Sequence, residues 1–210
     1  NIPQGLPCCS GGEQGAVNVY EYNGVNWVQF GNEIYVDEPD PNTQYADSFG
    51  LAYSRNGEAI SLNEDGTIVA IGASQMATST IGSTGYVNVY QIDSQNSWNL
   101  LGDTILPSIT TTWGSYPLTA FGLSVSINNI GSRIVIGQPY VDNGGGTMEG
   151  RALQYQLING SWVESSTVVG SGMAHTGWSV SISGNGNRFI VGSRLGLNWA
   201  GSVAIYSLES

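Results

Sequence analysis

The sequence predicts an all-β chain of repeated four-stranded antiparallel sheets, and three observations carry that prediction. First, a hairpin pattern occurs three times, as Gly57–Gly72, Gly122–Gly137 and Gly177–Gly192, with glycines spaced nine and then six residues apart. Second, a period-2 strand with Gly and Tyr five apart occurs four times, beginning at Gly15, Gly85, Gly150 and Gly201. Third, no stretch carries a helical apolar period of useful length. Self-similarity of this kind fixes the architecture before any single residue is weighed.

Each element follows from local chemistry. Residues 1–14 are punctuated by Pro and Gly and read as an N-terminal loop. The first two strands of a unit resemble Leu123-Ser-Val-Ser-Ile127 and Arg133-Ile-Val-Ile-Gly137. They are joined by a polar turn ending in Gly, which supplies the positive φ that a tight hairpin needs. The third is the Gly-x-Val-x-Val-Tyr strand. The fourth starts at a Trp seven or eight residues after that Tyr, at Trp27, Trp98 and Trp162. Two of these continue as Trp-x-x-x-Gly-x-x-Ile, while the third reaches Val169 with Ser166 in place of the Gly.

Four-stranded units at this period predict a β-propeller-type array. The propeller repeats span 15–210: a half blade over 15–34, blades over 57–105 and 122–169, and an incomplete blade over 177–210. About three and a half blades leave an open sheet edge, a template for pairing with another chain. The chain starts at Asn1 without Met, so it reads as a processed product or a piece of a longer polypeptide.

Phe49-Gly50, and Phe121-Gly122 followed by Ser-Val-Ser-Ile and Ile-Val-Ile-Gly-Gln-Pro139, resemble FG-GAP-like repeats of the integrin-α type. The pattern Gly-x-Val-x-Val-Tyr…Trp-x-Gln-x-Gly-x-x-Ile resembles the version found in surface and secreted proteins of algae and bacteria. The resemblance implies a β-propeller used for adhesion, scaffolding or ligand binding. The last repeat departs from it, with Thr176-Gly177-Trp178 where the family has Phe-Gly. The family's calcium loop, Asp-x-Asp-x-Asp-Gly, is missing: Asn63-Glu-Asp-Gly66 lacks the alternating carboxylates, so calcium is not carried over.

Composition narrows the function. Only 10% of the 210 residues are charged, against roughly a quarter in ordinary domains. Five Arg and no Lys face sixteen acids, for a net charge of −11. That balance argues against nucleic acid and anionic membranes as partners. No apolar run is long enough to span a bilayer. A Ser/Thr/Asn-rich surface suits a secreted or cell-surface setting.

Candidate sites are few. His175, the single histidine, stands in the loop before a strand without the partners of a catalytic triad or zinc site. The acidic run Asp37, Glu38, Asp40 and Asp47 reads as a solvated loop rather than a cation site. No metal, cofactor or catalytic residue is predicted. Cys8 and Cys9 either bond to each other or tie separately to another molecule. Asn159 opens the single Asn-x-Ser/Thr sequon and is the expected glycosylation site. Thr78–Thr80 and Thr110–Thr112 read as loops or O-glycan sites. The repeated Trp27, Trp98 and Trp162 are expected to anchor the outer strand, whereas Trp113 and Trp199, in loops, are the candidate ligand contacts.

The expectation is a non-enzymatic, extracellular structural module that assembles with copies of itself or neighbouring repeats. Its assembly edge is the strand Gly201 to Tyr206, with Val203 and Ile205, accepting an outer strand from another chain. A head-to-tail contact of that kind gives rings or filaments. The alternative is a carbohydrate-binding or adhesion propeller with glycans as partners. A glycosidase requires two facing carboxylates, for which the repeated strands carry few acids.

Overall fold

The repeats fold into successive antiparallel sheets, and neighbouring sheets pack face to face. The computed structural model describes residues 16–35, 59–74, 85–110, 119–196 and 199–207. Cys8, Cys9, Trp113, Asp37, Glu38, Asp40, Asp47, Phe49-Gly50 and Thr78–Thr80 lie outside them, as do Thr111 and Thr112. All regular secondary structure among the described residues is β, in fifteen strands.

Repeat I holds β1 (Ala16–Val17), β2 (Tyr20–Tyr22), β3 (Trp27–Gln29) and β4 (Ile34–Tyr35). The sequence predicts the third and fourth strands of a half blade here; the structure divides them into two ladders, β1 with β4 and β2 with β3. Asn18-Val19 and Phe30–Glu33 leave the ladder between them, bridged by the Phe30 N–H donating to the Val19 carbonyl at 2.8 Å.

Repeat II is the sheet β5 (Ile60–Leu62), β6 (Ile68–Ala73), β7 (Tyr86–Ile92) and β8 (Trp98–Leu100), in that order. Repeat III has the same order in β9 (Ser124–Ile127), β10 (Arg133–Gln138), β11 (Arg151–Ile158) and β12 (Ser161–Val169). Repeat IV has three strands, β13 (Thr176–Ile182), β14 (Arg188–Ser193) and β15 (Ser202–Ser207), again in chain order.

The turn between the first two strands is built alike in each full repeat. The Asn63 Oδ1 accepts the Ile68 N–H at 2.8 Å, and Asn128 Oδ1 accepts the Ser132 and Arg133 N–H groups at 2.9 and 2.8 Å. Ser183 Oγ does the same for Arg188 at 3.0 Å. Gly66, Gly131 and Gly186 follow with φ near +70 to +75°, where a side chain would be strained.

Strand periodicity then sends alternate residues to opposite faces. In β6, Ile68 and Ala70 join a core with repeat III, while Val69, Ile71 and Ala73 join a core with repeat I. In β10, Ile134 and Ile136 face repeat II, while Val135 packs with Phe189 and Val191 of repeat IV. Both faces of β6 and β10 are therefore buried, which is why these two strands read as unbroken apolar runs rather than alternations.

Candidate interaction faces

The contacts between repeats follow one rule, and the end repeats show what that rule leaves open. Gly72 closes the second strand of repeat II against the backbone of repeat III: a Cβ there would stand 2.1 Å from the Gly122 carbonyl oxygen. Gly137 does the same in repeat III, with 2.0 Å to the Gly177 oxygen. Neither glycine has positive φ, so close approach and not the turn requires it. The next contact is a hydroxyl. Ser61 Oγ accepts the Ile127 N–H, and Ser126 Oγ accepts the Ile182 N–H, both at 3.1 Å.

The repeated Trp completes the rule. The Trp98 indole N–H donates to the Phe30 carbonyl at 3.1 Å, and the Trp162 indole to the Leu101 carbonyl at 2.8 Å. Each ring lies over a positive-φ glycine of the preceding repeat, Gly31 or Gly102, where a Cβ would meet it at 2.5 or 2.9 Å. These tryptophans thus bolt one sheet to the previous one, rather than only holding their own outer strand. Trp27, first in the series, is instead 69% exposed, with its ring 5.5 Å from that of Tyr22. Tyr20 and Tyr22 beside it are also exposed.

At the other end the pattern repeats without an occupant among the described residues. Ile190, Val203 and Ile205 take the positions that Ala70, Val87 and Val89 hold in repeat II. Those three are fully buried, yet Val203 is 68% and Ile205 72% exposed. Of the predicted edge residues, Gly201 has φ +76° and Tyr206 packs inward, its ring stacked on Phe189 at 5.3 Å. Strand β15 pairs only with β14 among the described residues. Val203 and Ile205 therefore offer a sheet face as well as standing on an edge strand.

Charge differs between the two end repeats. Residues 176–207 contain Arg188 and Arg194 and no acid; residues 16–35 contain Glu21 and Glu33 and no Arg.

Between repeats III and IV an aromatic cluster forms that the sequence does not advertise. Tyr140, His175 and Trp178 meet with ring centroids 5.1 to 6.4 Å apart, and the Arg194 guanidinium lies 4.4 Å above the Trp178 ring. His175 is buried, and neither ring nitrogen has a hydrogen-bond partner among the described residues. Burial first, and the Arg194 charge second, hold its pKa below 6.5, so the ring stays neutral near pH 7. Burial raises the Tyr140 hydroxyl pKa as well. The three rings pack edge-on and stacked against one another. The cluster's sequence signal is the departure at Thr176-Gly177-Trp178; Tyr140 and Arg194 carry none.

Asn159 is exposed at φ +50° in the turn between β11 and β12, followed by Gly160 at +83°. Trp199 is 71% exposed. Among the described residues no three His, Cys, Asp or Glu side chains gather as a metal site, and no helix is long and apolar enough to cross a membrane.

No family model and no curated protein matches this chain. Among solved structures, it is similar to a protein of Bacteroides uniformis provisionally assigned as a 6-phosphogluconolactonase. Identity is 13% and the TM-score 0.39, over 94% of this chain and 65% of that one. The chain thus spans just under two thirds of that neighbour's length.

Proposed function

We propose that the chain is a non-enzymatic, extracellular module of the β-propeller type, whose work is assembly with repeats of its own kind. The observation that carries this reading is the exposed face of repeat IV. Its positions match ones covered at the II–III interface (Ala70, Val87, Val89) and at the III–IV interface (Val135, Ala152, Gln154), and burying each apolar side chain is worth about 1.5–3 kcal/mol. The likeness to FG-GAP-like repeats and the charge-poor, sequon-bearing sequence support the same setting.

Assembly is head to tail. The Arg-bearing repeat IV of one copy meets the Glu-, Tyr- and Trp-bearing end of the next, and open β15 accepts a strand at the same junction. Light scattering across a concentration series, with negative-stain imaging, tests it. Particle mass should grow with concentration, and shrink in about 1 M salt, which shortens the screening length to roughly 3 Å. The double variant Val203→Glu/Ile205→Glu should remain a single chain. A single-chain mass at every concentration for the unaltered protein would overturn the reading.

Exposed Trp199 favours a second reading, a glycan-binding propeller. Quenching of indole fluorescence by oligosaccharides, lost in Trp199→Ala, is its test; no quenching at millimolar sugar rules it out.

A further inference from the structure

We infer that repeat IV carries a groove built to receive a glycine-bearing strand in trans, the first strand of another repeat of this class. The groove is shallow and open to solvent, about 430 Å³ in volume, and Trp178, Ser179, Gly192, Arg194, Gly201 and Val203 line it. The same place exists at both interior interfaces, and there it is filled. On repeat II the segment Phe121-Gly122 occupies it: a Cβ on Gly85 would stand 2.1 Å from the Phe121 oxygen, as one on Gly72 would from the Gly122 oxygen. On repeat III it holds Thr176-Gly177, pinned by the Thr176 N–H donating to the Glu149 carbonyl at 3.0 Å. A Cβ on Gly150 would meet the Thr176 oxygen at 2.4 Å.

On repeat IV the corresponding glycines meet only their own repeat. A Cβ on Gly192 would encounter the Ser179 hydroxyl, and one on Gly201 nothing nearer than 3.4 Å. Ser181, matching the acceptors Ser61 and Ser126, is exposed. The missing occupant is thereby defined. It has a glycine whose carbonyl lies on Gly192, an N–H five residues later aimed at Ser181 Oγ, and alternating apolar side chains between them. The pattern Gly-x-Ser-x-Ser-Ile of residues 122–127 has that chemistry.

The inference rests on reading this face as an assembly surface, yet a peptide probes it without association of whole chains. A fluorescein-labelled peptide with the sequence of residues 119–130 is titrated with the full chain and followed by anisotropy. Saturable binding is expected. It should weaken at least tenfold in Gly192→Ala, where the new methyl occupies the place of the incoming carbonyl, and severalfold in Ser181→Ala. A peptide carrying Gly122→Val should not bind. Equal binding to the unaltered chain and Gly192→Ala, or no saturable binding to the unaltered chain, overturns the groove. Whole-chain association that persists in Gly192→Ala while the peptide fails to bind would leave the assembly reading standing and remove this one.

Discussion

Alanine at Gly72 or Gly137 is the most direct test of how the sheets are held together. The added methyl would lie 2.1 or 2.0 Å from a carbonyl oxygen of the next repeat, well over 1 Å short of ordinary contact. The obstacle is backbone on both sides, so no rotamer change relieves it; the repeats must separate locally. Overpacking of this kind typically costs about 1–3 kcal/mol, and the rigid case belongs at the upper end. Against it stands a gain of about 0.4–1 kcal/mol from stiffening the unfolded chain. The net loss is about 2–3 kcal/mol. With a urea dependence near 2 kcal/mol per molar, the unfolding midpoint should fall by about 1–1.5 M. Gly192→Ala is the internal control: the same substitution at the same repeat position meets only the movable Ser179 hydroxyl. Its midpoint should stay within about 0.3 M of the parent, since changes of up to about 0.5 kcal/mol are usual at sites without rigid neighbours. Equal midpoints for Gly72→Ala and the parent would refute the close-contact account. An equally large fall for Gly192→Ala would mean that the groove is already filled within the chain.

Three further outcomes follow from the same geometry. Trp98→Phe and Trp162→Phe each delete an indole donor from a carbonyl and should lower stability by about 1 kcal/mol in urea unfolding, whereas Trp27→Phe, at an exposed ring, should change it little. Asn128→Ala removes the acceptor of the Ser132 and Arg133 N–H groups and should lower it by about 1–2 kcal/mol; an unchanged midpoint would show water replacing the cap. His175 predicts a pH effect. Its folded pKa lies below 6.5, so the unfolded chain binds that proton more tightly. Stability should therefore fall as pH drops from about 6.5, and level off once the folded pKa is passed. Asp65 and Asp93, hydrogen-bonded through Thr67 and Ser97, are held below 3.8 and titrate outside that range. His175→Asn, tolerated at φ +52°, should flatten the profile between pH 7 and 5; an unchanged slope would assign it elsewhere.

The sheets were legible because their periodicity is local. Gly66, Gly131 and Gly186 announce a turn, and the apolar runs on either side announce strands. What occupies the faces was less legible. Gly72 and Gly192 are equivalent in sequence and differ only in whether another backbone lies above them. Trp27 and Trp98 share a motif, yet one is exposed and the other has 7% of its surface left. A repeat specifies its contact surfaces without specifying its neighbour. The burial of His175 was illegible for a related reason. It lies in the loop before β13, as its sequence reads, and it is buried there because Tyr140 and Trp178 arrive from two different repeats.

Arrays of this kind draw stability from each repeat and from nearest-neighbour interfaces, and a solitary array needs terminal repeats with polar outer faces. The ends described here are not capped in that way. Repeat IV presents Ile190, Val203 and Ile205 outward, and repeat I presents Tyr20, Tyr22 and Trp27. A cap would place charged or hydroxylated residues at those positions, as strand β13 does with exposed Ser179 and Ser181 on the same face. Even there the hydroxyls match Ser124 and Ser126, which at the interior interface are bonded to the following repeat, Ser124 donating to the Gly177 carbonyl at 2.9 Å. The polar residues of the end face are thus the ones the interior interfaces use, and this favours a surface made for a neighbour over one made for water.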